Sequence, residues 1–403
     1  MASTENHKIS QFEFISLMAS LMMLASLSID ALLPSLDEIG KAINISNPKD
    51  NQLLITIVIL GLGLGQLVSG ALSDSIGRKP VMYIGCLLFI IASFICIFAT
   101  NLEIMLIGRL LQGVGLSAPR SVSTAIIRDK YDGNLMAKVM SYITVIFILA
   151  PVMAPTLGKL ISDNFGWESI FYSQLIFGIT VSIWLWLRQP ETLKKEDKKK
   201  INLALFVDGT KAFCKHPESI IYTIISGLIT APFLAYMSAS QQIFSQQYNL
   251  GEVYPYIFSA LALGVGIATF LNGLLVMKYG MLRMVIVPMI ATLCVSIIYI
   301  FLYSTGTNPS SIVFILFVAL ILFSIGFIFG NLNALAMEPI GHIAGIGASI
   351  IGFLSTIISV SIAIIIGQFI DYSSLPIFIG FGICTAISLV MIYRIENTQT
   401  KNI

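Results

Sequence analysis

Long stretches without a formal charge constrain this chain more than any other feature. Asn51–Ser73, Val81–Leu102, Val139–Gly158, Ser169–Leu187, Ser219–Gly251, Val253–Met277, Met284–Met337, Pro339–Ile370 and Tyr372–Tyr393 contain no Asp, Glu, Lys or Arg. A helix needs about 20 apolar residues to cross the hydrocarbon core of a bilayer, and most of these stretches suffice. Met284–Met337 is long enough for two crossings, broken at 304–311 where Gly306, Asn308 and Pro309 mark a turn. Adding 12–36 and 102–127, which carry charges inside the apolar pattern, predicts twelve spans. They fall at 12–36, 51–73, 81–100, 102–127, 137–161, 167–188, 218–246, 253–276, 284–304, 311–337, 345–370 and 373–394. Runs this long do not resemble the alternating segments of roughly 10 residues found in a membrane barrel. Composition agrees: 11% of residues are charged, against roughly 25% in a soluble domain. The expected fold is an all-α membrane protein with the lipid bilayer as its surroundings.

The bases set an orientation. With the N-terminus inside, the inner loops and tails hold 18 of the 23 Lys and Arg residues, eight of them between Arg188 and Lys215. The outer loops hold only Lys41, Lys49 and Lys159, and Arg109 and Arg120 lie within spans. This asymmetry predicts cytoplasmic termini in a multi-pass protein of the inner membrane. A net charge of +2 gives no reason to expect a nucleic-acid partner. Four cysteines, Cys86, Cys96, Cys294 and Cys384, fall within spans and Cys214 within an inner loop, so no disulfide is expected. The first apolar segment is too long for a signal-peptide core and is expected to remain as a span.

The chain divides around its longest polar stretch. Residues 1–188 and 218–403 each hold six predicted spans, and 189–217 reads as a solvated cytoplasmic linker with a short surface helix at 201–213. The segment from Gly70 to Gly77, after the second span, resembles that from Gly273 to Gly280, after the eighth, at an offset of 203 residues. Gly158–Asp163, after the fifth span, likewise resembles Gly367–Asp371, after the eleventh. Two such echoes point to parallel repeats, an arrangement that places a site between two half-bundles.

Asp30 is the first functional candidate. It interrupts an otherwise uncharged stretch, Phe14 to Pro34, and a carboxylate in hydrocarbon is costly unless it is protonated, paired or facing water. At 1.5 Å per residue, Asp30 and Arg109 both lie about 10 Å below the outer interface. Both are therefore expected to face a shared cavity, where they could pair across it, with desolvation and the neighbouring cation acting oppositely on the acid. Arg120 lies 11 residues beyond Arg109, three turns along the same helix face, and its long side chain suits snorkelling to the interface or a place in the cavity. Glu338 reads as an interfacial acid. Tyr236, Gln241 and Gln242 are polar enough to line a cavity, and Gly61, Gly63 and Gly65 read as a close-packing surface rather than a nucleotide loop.

The most specific motif is Gly70-Ala-Leu-Ser-Asp74-Ser-Ile-Gly77-Arg78-Lys79-Pro80, two glycines, an acid and two bases in one tight inner turn. It resembles the signature loop of the major facilitator superfamily at nearly every defining position. Arg109-Leu-Leu-Gln112-Gly113-Val-Gly115 is similar to the fourth-span motif of that superfamily. The run containing Pro151, Pro155 and Gly158 resembles its fifth-span antiporter motif, with Lys159 where a glycine is usual. Ser28-Ile-Asp30-Ala-Leu-Leu-Pro34 and the region from Asn331 to Gly345 resemble the bicyclomycin/chloramphenicol-resistance (Bcr/CflA) drug:proton antiporters. Gly330, Glu338 and Arg120 depart from that pattern and bear on the substrate more than on the fold.

The resemblance implies the major facilitator fold: twelve transmembrane helices in two six-helix bundles that alternate between inward- and outward-open forms, in a monomer. It implies export of a small amphipathic, drug-like molecule driven by protons. Asp30 matches the membrane acid that exchanges proton for substrate, and Arg109 the arginine of proton coupling. Gln112, Tyr236, Gln241 and Asn331 are candidate cavity residues. Gly70, Asp74, Gly77, Arg78 and Asp129 match the conformational gate. The alternative is a carrier taking up or exporting one metabolite or siderophore, with or without proton coupling. There is no phosphate loop of the ATPase type, and His7, His216 and His342 are too scattered for a metal site. No cofactor is expected, and a secondary transporter is expected rather than an enzyme.

Overall fold

The computed structural model describes residues 9–401 except 132, 195, 197, 199–202, 306, 307 and 372. His7, Lys8, Ile201, Gly306 and part of the linker's lysine run thus lie outside the described residues, as does the side chain of His342. The helices are α1 (Gln11–Asp30), α2 (Leu36–Ala42), α3 (Leu53–Ile76), α4 (Arg78–Ile97), α5 (Leu102–Lys130), α6 (Gly133–Phe165) and α7 (Glu168–Arg188). The linker helix α8 (Leu203–Cys214) follows, then α9 (Pro217–Gln242), α10 (Tyr254–Tyr279), α11 (Met281–Tyr303), α12 (Ser311–Met337), α13 (Ala344–Gln368) and α14 (Leu375–Lys401). No strand occurs among the described residues.

Each span expected from the apolar pattern contains a helix, and the edges move for identifiable reasons. Ser10 caps α1 by accepting from the Glu13 amide, and Asn101 caps α5 by accepting from that of Ile104, which satisfies orphan donors of the first turn. The first span bends after Asp30: Leu33–Ser35 is a 3-10 turn with Pro34 in its first positions, because proline has no amide to continue the α-helical ladder. Gly77 (φ +121°) breaks α3 from α4 and Gly280 (φ +79°) breaks α10 from α11. The two glycines of the internal echo therefore perform the same backbone task, in a region that L side chains rarely enter.

Eleven helical segments are long and apolar enough to cross a membrane, judged by length and composition among the described residues. α5 is not one of them. Its charged residues include Glu103, Arg109, Arg120 and Arg128, yet it is a continuous helix of 29 residues enclosed by its neighbours. Glycine makes that enclosure possible. A Cβ on Gly61 would lie 2.2 Å from the Leu110 carbonyl oxygen, and one on Gly113 2.1 Å from that of Val58, so α3 and α5 meet backbone to backbone. Gly85 and Gly115 bring α4 close on the other side, where a Cβ would lie 2.7 Å and 2.6 Å from backbone atoms. Elsewhere α13 packs on α9 and α3, α10 on α6 and α12, α11 on α12 and α14, and α1 on α6. Large apolar side chains such as Ile107, Leu160, Trp186, Phe270 and Phe301 are exposed around the outside. So much outward apolar surface suits lipid rather than water, and the chain is a multi-pass membrane protein.

Candidate functional site

Two polar centres lie at different depths in the molecule. The first surrounds the bend of α1. Asp30 is 4% exposed and accepts a hydrogen bond of 2.5 Å from the Ser26 hydroxyl, one helical turn earlier. Arg109 on α5 is fully buried and donates to the Leu54 carbonyl (3.0 Å), the Ser28 carbonyl (2.9 Å), the Ser28 hydroxyl (3.2 Å) and the Gln112 side-chain oxygen (2.8 Å). Gln112 in turn donates to Ser93 on α4 at 2.8 Å. The guanidinium also stands 5.9 Å from the centre of the Phe171 ring.

The expected pairing of Asp30 with Arg109 is absent. Residues two apart on a helix point roughly 200° apart around its axis, so an arginine gripping Ser28 cannot also face Asp30. Arg109 is stable without a carboxylate because it caps a helix end. The last carbonyls of α1 have no intrahelical partner, and a cation beside them is favoured by the helix dipole. Asp30 instead bonds back to the Ser26 hydroxyl. Gly158 of the antiporter-like motif presses against the adjacent residue: a Cβ there would sit 2.0 Å from the Ala31 carbonyl oxygen.

Around this centre, bonds tie residues preceding the linker to residues following it. Gln52 donates to Gln242 at 3.2 Å, and Gln241 to Asp37 at 3.3 Å. Lys49 pairs with Asp371 at 3.1 Å and donates to the Gln368 carbonyl, also at 3.1 Å. Lys159 pairs with Glu252 at 3.1 Å, and Ser259 donates to the Val152 carbonyl between Pro151 and Pro155. Tyr236 is buried close by with its hydroxyl unsatisfied, whereas the hydroxyls of Ser240 and Tyr254 bond each other at 2.8 Å. Asn331 is remote from this group, donating to Asn272 at 2.7 Å between α12 and α10.

The second centre lies at the other end. Arg78, 3% exposed, donates to Asp129 at 2.9 Å, to Ser73 at 2.8 Å and to Asp74. Glu191, from the start of the linker, accepts from the backbone amides of Arg78 and Lys79, both at 3.0 Å. It therefore caps α4, whose first amides would otherwise lack acceptors. Thr192 donates to Asp129 at 3.0 Å. A Cβ on Gly77 would fall 2.7 Å from the Glu191 carboxylate, but it is the φ of +121° that calls for glycine there. The part taken by Glu191 was not legible in the sequence, where 189–217 reads as a solvated linker.

Beside the second centre is a cavity of about 510 Å³, lined by Gln66, Gly70, Asp74, Arg78, Arg120 and Arg128 on one side and by Asn333, Ala348 and Ser349 on the other. Arg120 is exposed, and what it is exposed to is this cavity. Asp30 and Arg109 do not line it. A smaller cleft of about 320 Å³, with Asn47, Lys49, Gln52, Thr56, Ser238 and Gly367 in its wall, opens at the first end. No group of acids, histidines and cysteines suited to a metal occurs among the described residues.

The sequence model of the family described as Major Facilitator Superfamily matches residues 18–365. The chain is 27% identical to the bicyclomycin resistance protein homolog of Haemophilus influenzae, across 98% of this chain and 99% of that protein. It is 26% identical to the multidrug resistance protein MdtL of Salmonella paratyphi A, across 94% of each. Among solved structures it resembles the POT family transporter PepTSo, with a TM-score of 0.75, 14% identity and coverage of 96% and 98%. It also resembles the xylose transporter XylE from E. coli in a partially occluded inward-open conformation, with a TM-score of 0.72, 13% identity and coverage of 95% and 97%.

Proposed function

Because the chain belongs to the Major Facilitator Superfamily, we propose that it is a proton-coupled secondary transporter exporting small amphipathic, drug-like molecules by alternating access. The relatives named for bicyclomycin and multidrug resistance support the cargo class. In this reading α5 is the twelfth span, residues 1–188 and 218–403 are two six-helix bundles, and 189–217 is the cytoplasmic linker. The distribution of Lys and Arg supports placing the Arg78 end in the cytoplasm of a cell with both termini inside, in its inner membrane. The cavity beside Arg120 is then open toward the cytoplasm, and the bonds around Asp30 close the outer side.

Asp30 carries the reading. It is a buried acid whose hydrogen-bond partner is the Ser26 hydroxyl rather than a cation, placed where the two halves meet. When the halves part at that end, water reaches the carboxyl group; when they close, water leaves. Hydration decides whether an enclosed carboxyl keeps its proton, so opening and closing move protons in step with cargo. Arg109, Gln112 and Ser93 hold the α1 bend against α4 and α5, while Gly158 keeps α6 against it. Asp74, Arg78, Asp129 and Glu191 hold the cytoplasmic turn in one shape while the halves move.

Everted membrane vesicles test this directly. Wild-type protein is expected to accumulate a drug-like dye when a proton gradient is imposed, and Asp30→Asn to lose that accumulation while remaining folded by size-exclusion chromatography. Undiminished accumulation by the Asn variant removes Asp30 from the coupling step.

A further inference from the structure

We propose that the cavity beside α5 selects amphipathic anions, with Arg120 as the residue that receives the negative group; this deepens the export reading above and rests on it for the direction of movement. Three observations carry it. The cavity wall holds three arginines and one acid, and that acid, Asp74, is already paired with Arg78. Arg78 is further matched by Asp129. Arg120 and Arg128, by contrast, have neither a hydrogen-bond nor an ionic partner among the described residues.

The placement suits a ligand rather than lipid headgroups alone. Arg120 and Arg128 are eight residues apart on α5, about 12 Å along the helix and about 80° apart around its axis, and both line the cavity. Arg128 therefore stands near the mouth and Arg120 in the interior. An uncompensated guanidinium beneath a protein wall is costly unless water or an anion meets it, and a planar fork of donors is matched to a carboxylate or sulfonate. The wall also carries apolar side chains, Met22 on α1 and Ile346 on α13, alongside Asn333 and Ser349. A ligand with an anionic head and a flat apolar body meets both surfaces. Drawing it in also follows from the field of unpaired positive charge in a low-dielectric cleft.

Two fluorescent probes sharing one ring system separate the charge from the body: anilinonaphthalenesulfonate, and N-phenylnaphthylamine, which lacks the sulfonate. Full-length protein in lipid nanodiscs is titrated with each, and the signal from empty nanodiscs is subtracted. Saturable binding of the sulfonate, tighter than that of the neutral probe, is expected for wild type. Arg120→Gln should weaken sulfonate binding about tenfold, the loss expected for one hydrogen-bonded charge contact, and leave the neutral probe unchanged. Arg120→Lys, which keeps the charge, should retain most of the preference. Equal binding of the two probes by wild type, no saturable sulfonate binding, or a parallel loss of both in Arg120→Gln overturns the assignment. Gradient-driven uptake in everted vesicles is a separate readout: if it is absent while the charge preference persists, the export reading fails and the anion site stands.

Discussion

The two ends of this molecule are held by opposite strategies. Around Asp30 the contacts run between residues before the linker and residues after it: Lys49 with Asp371, Gln52 with Gln242, Asp37 with Gln241 and Lys159 with Glu252. Around Arg78 the network with Ser73, Asp74, Asp129, Glu191 and Thr192 stays within the first 200 residues, and a cavity separates it from Asn333 and Ser349. The first kind of bond must break whenever that end opens. The second kind can persist through the whole cycle. Cross-seam bonds are side-chain amides meeting an amide or a carboxylate, and ion pairs with at least one exposed partner, whereas the network that need not break is centred on a buried arginine.

Four substitutions test that contrast, in decreasing order of expected effect. Asp30→Asn should abolish gradient-driven export, a loss of at least about 100-fold if one positioned proton acceptor is removed, as read by vesicle uptake. Gly158→Leu adds a side chain where a Cβ alone would overlap the Ala31 carbonyl; overpacking of this kind costs about 1–3 kcal/mol and should lower the thermal midpoint in detergent. Asp74→Asn leaves Arg78 with Asp129 but removes one charge, so turnover should fall about tenfold, as loss of one charged hydrogen bond would give, while cargo still binds in equilibrium measurements. Lost affinity at normal turnover would transfer Asp74 from the gate to the cargo site. Lys49→Ala removes a partly exposed ion pair, worth about 0–1 kcal/mol. Spin-label distances between the α2 loop and the turn before α14 should then show the open population rising less than about fivefold. A larger shift would mean that this single pair, rather than the set of weak contacts, holds the end closed.

How far the sequence reached depended on which kind of pattern was involved. Charge-free stretches placed the spans to within several residues because the bilayer imposes a length on each of them. The glycines at 61 and 65 are readable as a close-packing surface, since a helix exposing glycine inside an apolar pattern has few other uses, whereas the matching role of Gly113 on α5 is not. The contact of Arg78 with Asp74 is foreseeable from a short motif in one turn, and that with Asp129 only from the family resemblance. The Asp30–Arg109 pairing was not a sound extrapolation: equal depth in the membrane says nothing about rotation around α1, and Ser28 occupies the face toward α5. Glu191 was missed because a carboxylate beside a lysine-rich tract looks solvated, and its cap on α4 depends on how the chain returns from α7. Arg120 stood out as a charge in a span, but its choice between the interface and an interior space required the cavity itself.

One detail near the bend of the first helix has a mechanical corollary. The guanidinium of Arg109 fastens the carbonyl of Ser28 and the carbonyl of Leu54 at once, joining three helices by a rivet rather than by a charge pair. Sliding or swivelling of the upper part of α1 past α3 would shear both attachments together, at about 1.5–3 kcal/mol each. The segment bearing Asp30 is thus obliged to travel as one stiff body with α3 and α5, and compliance must come from the 3-10 stretch beyond it.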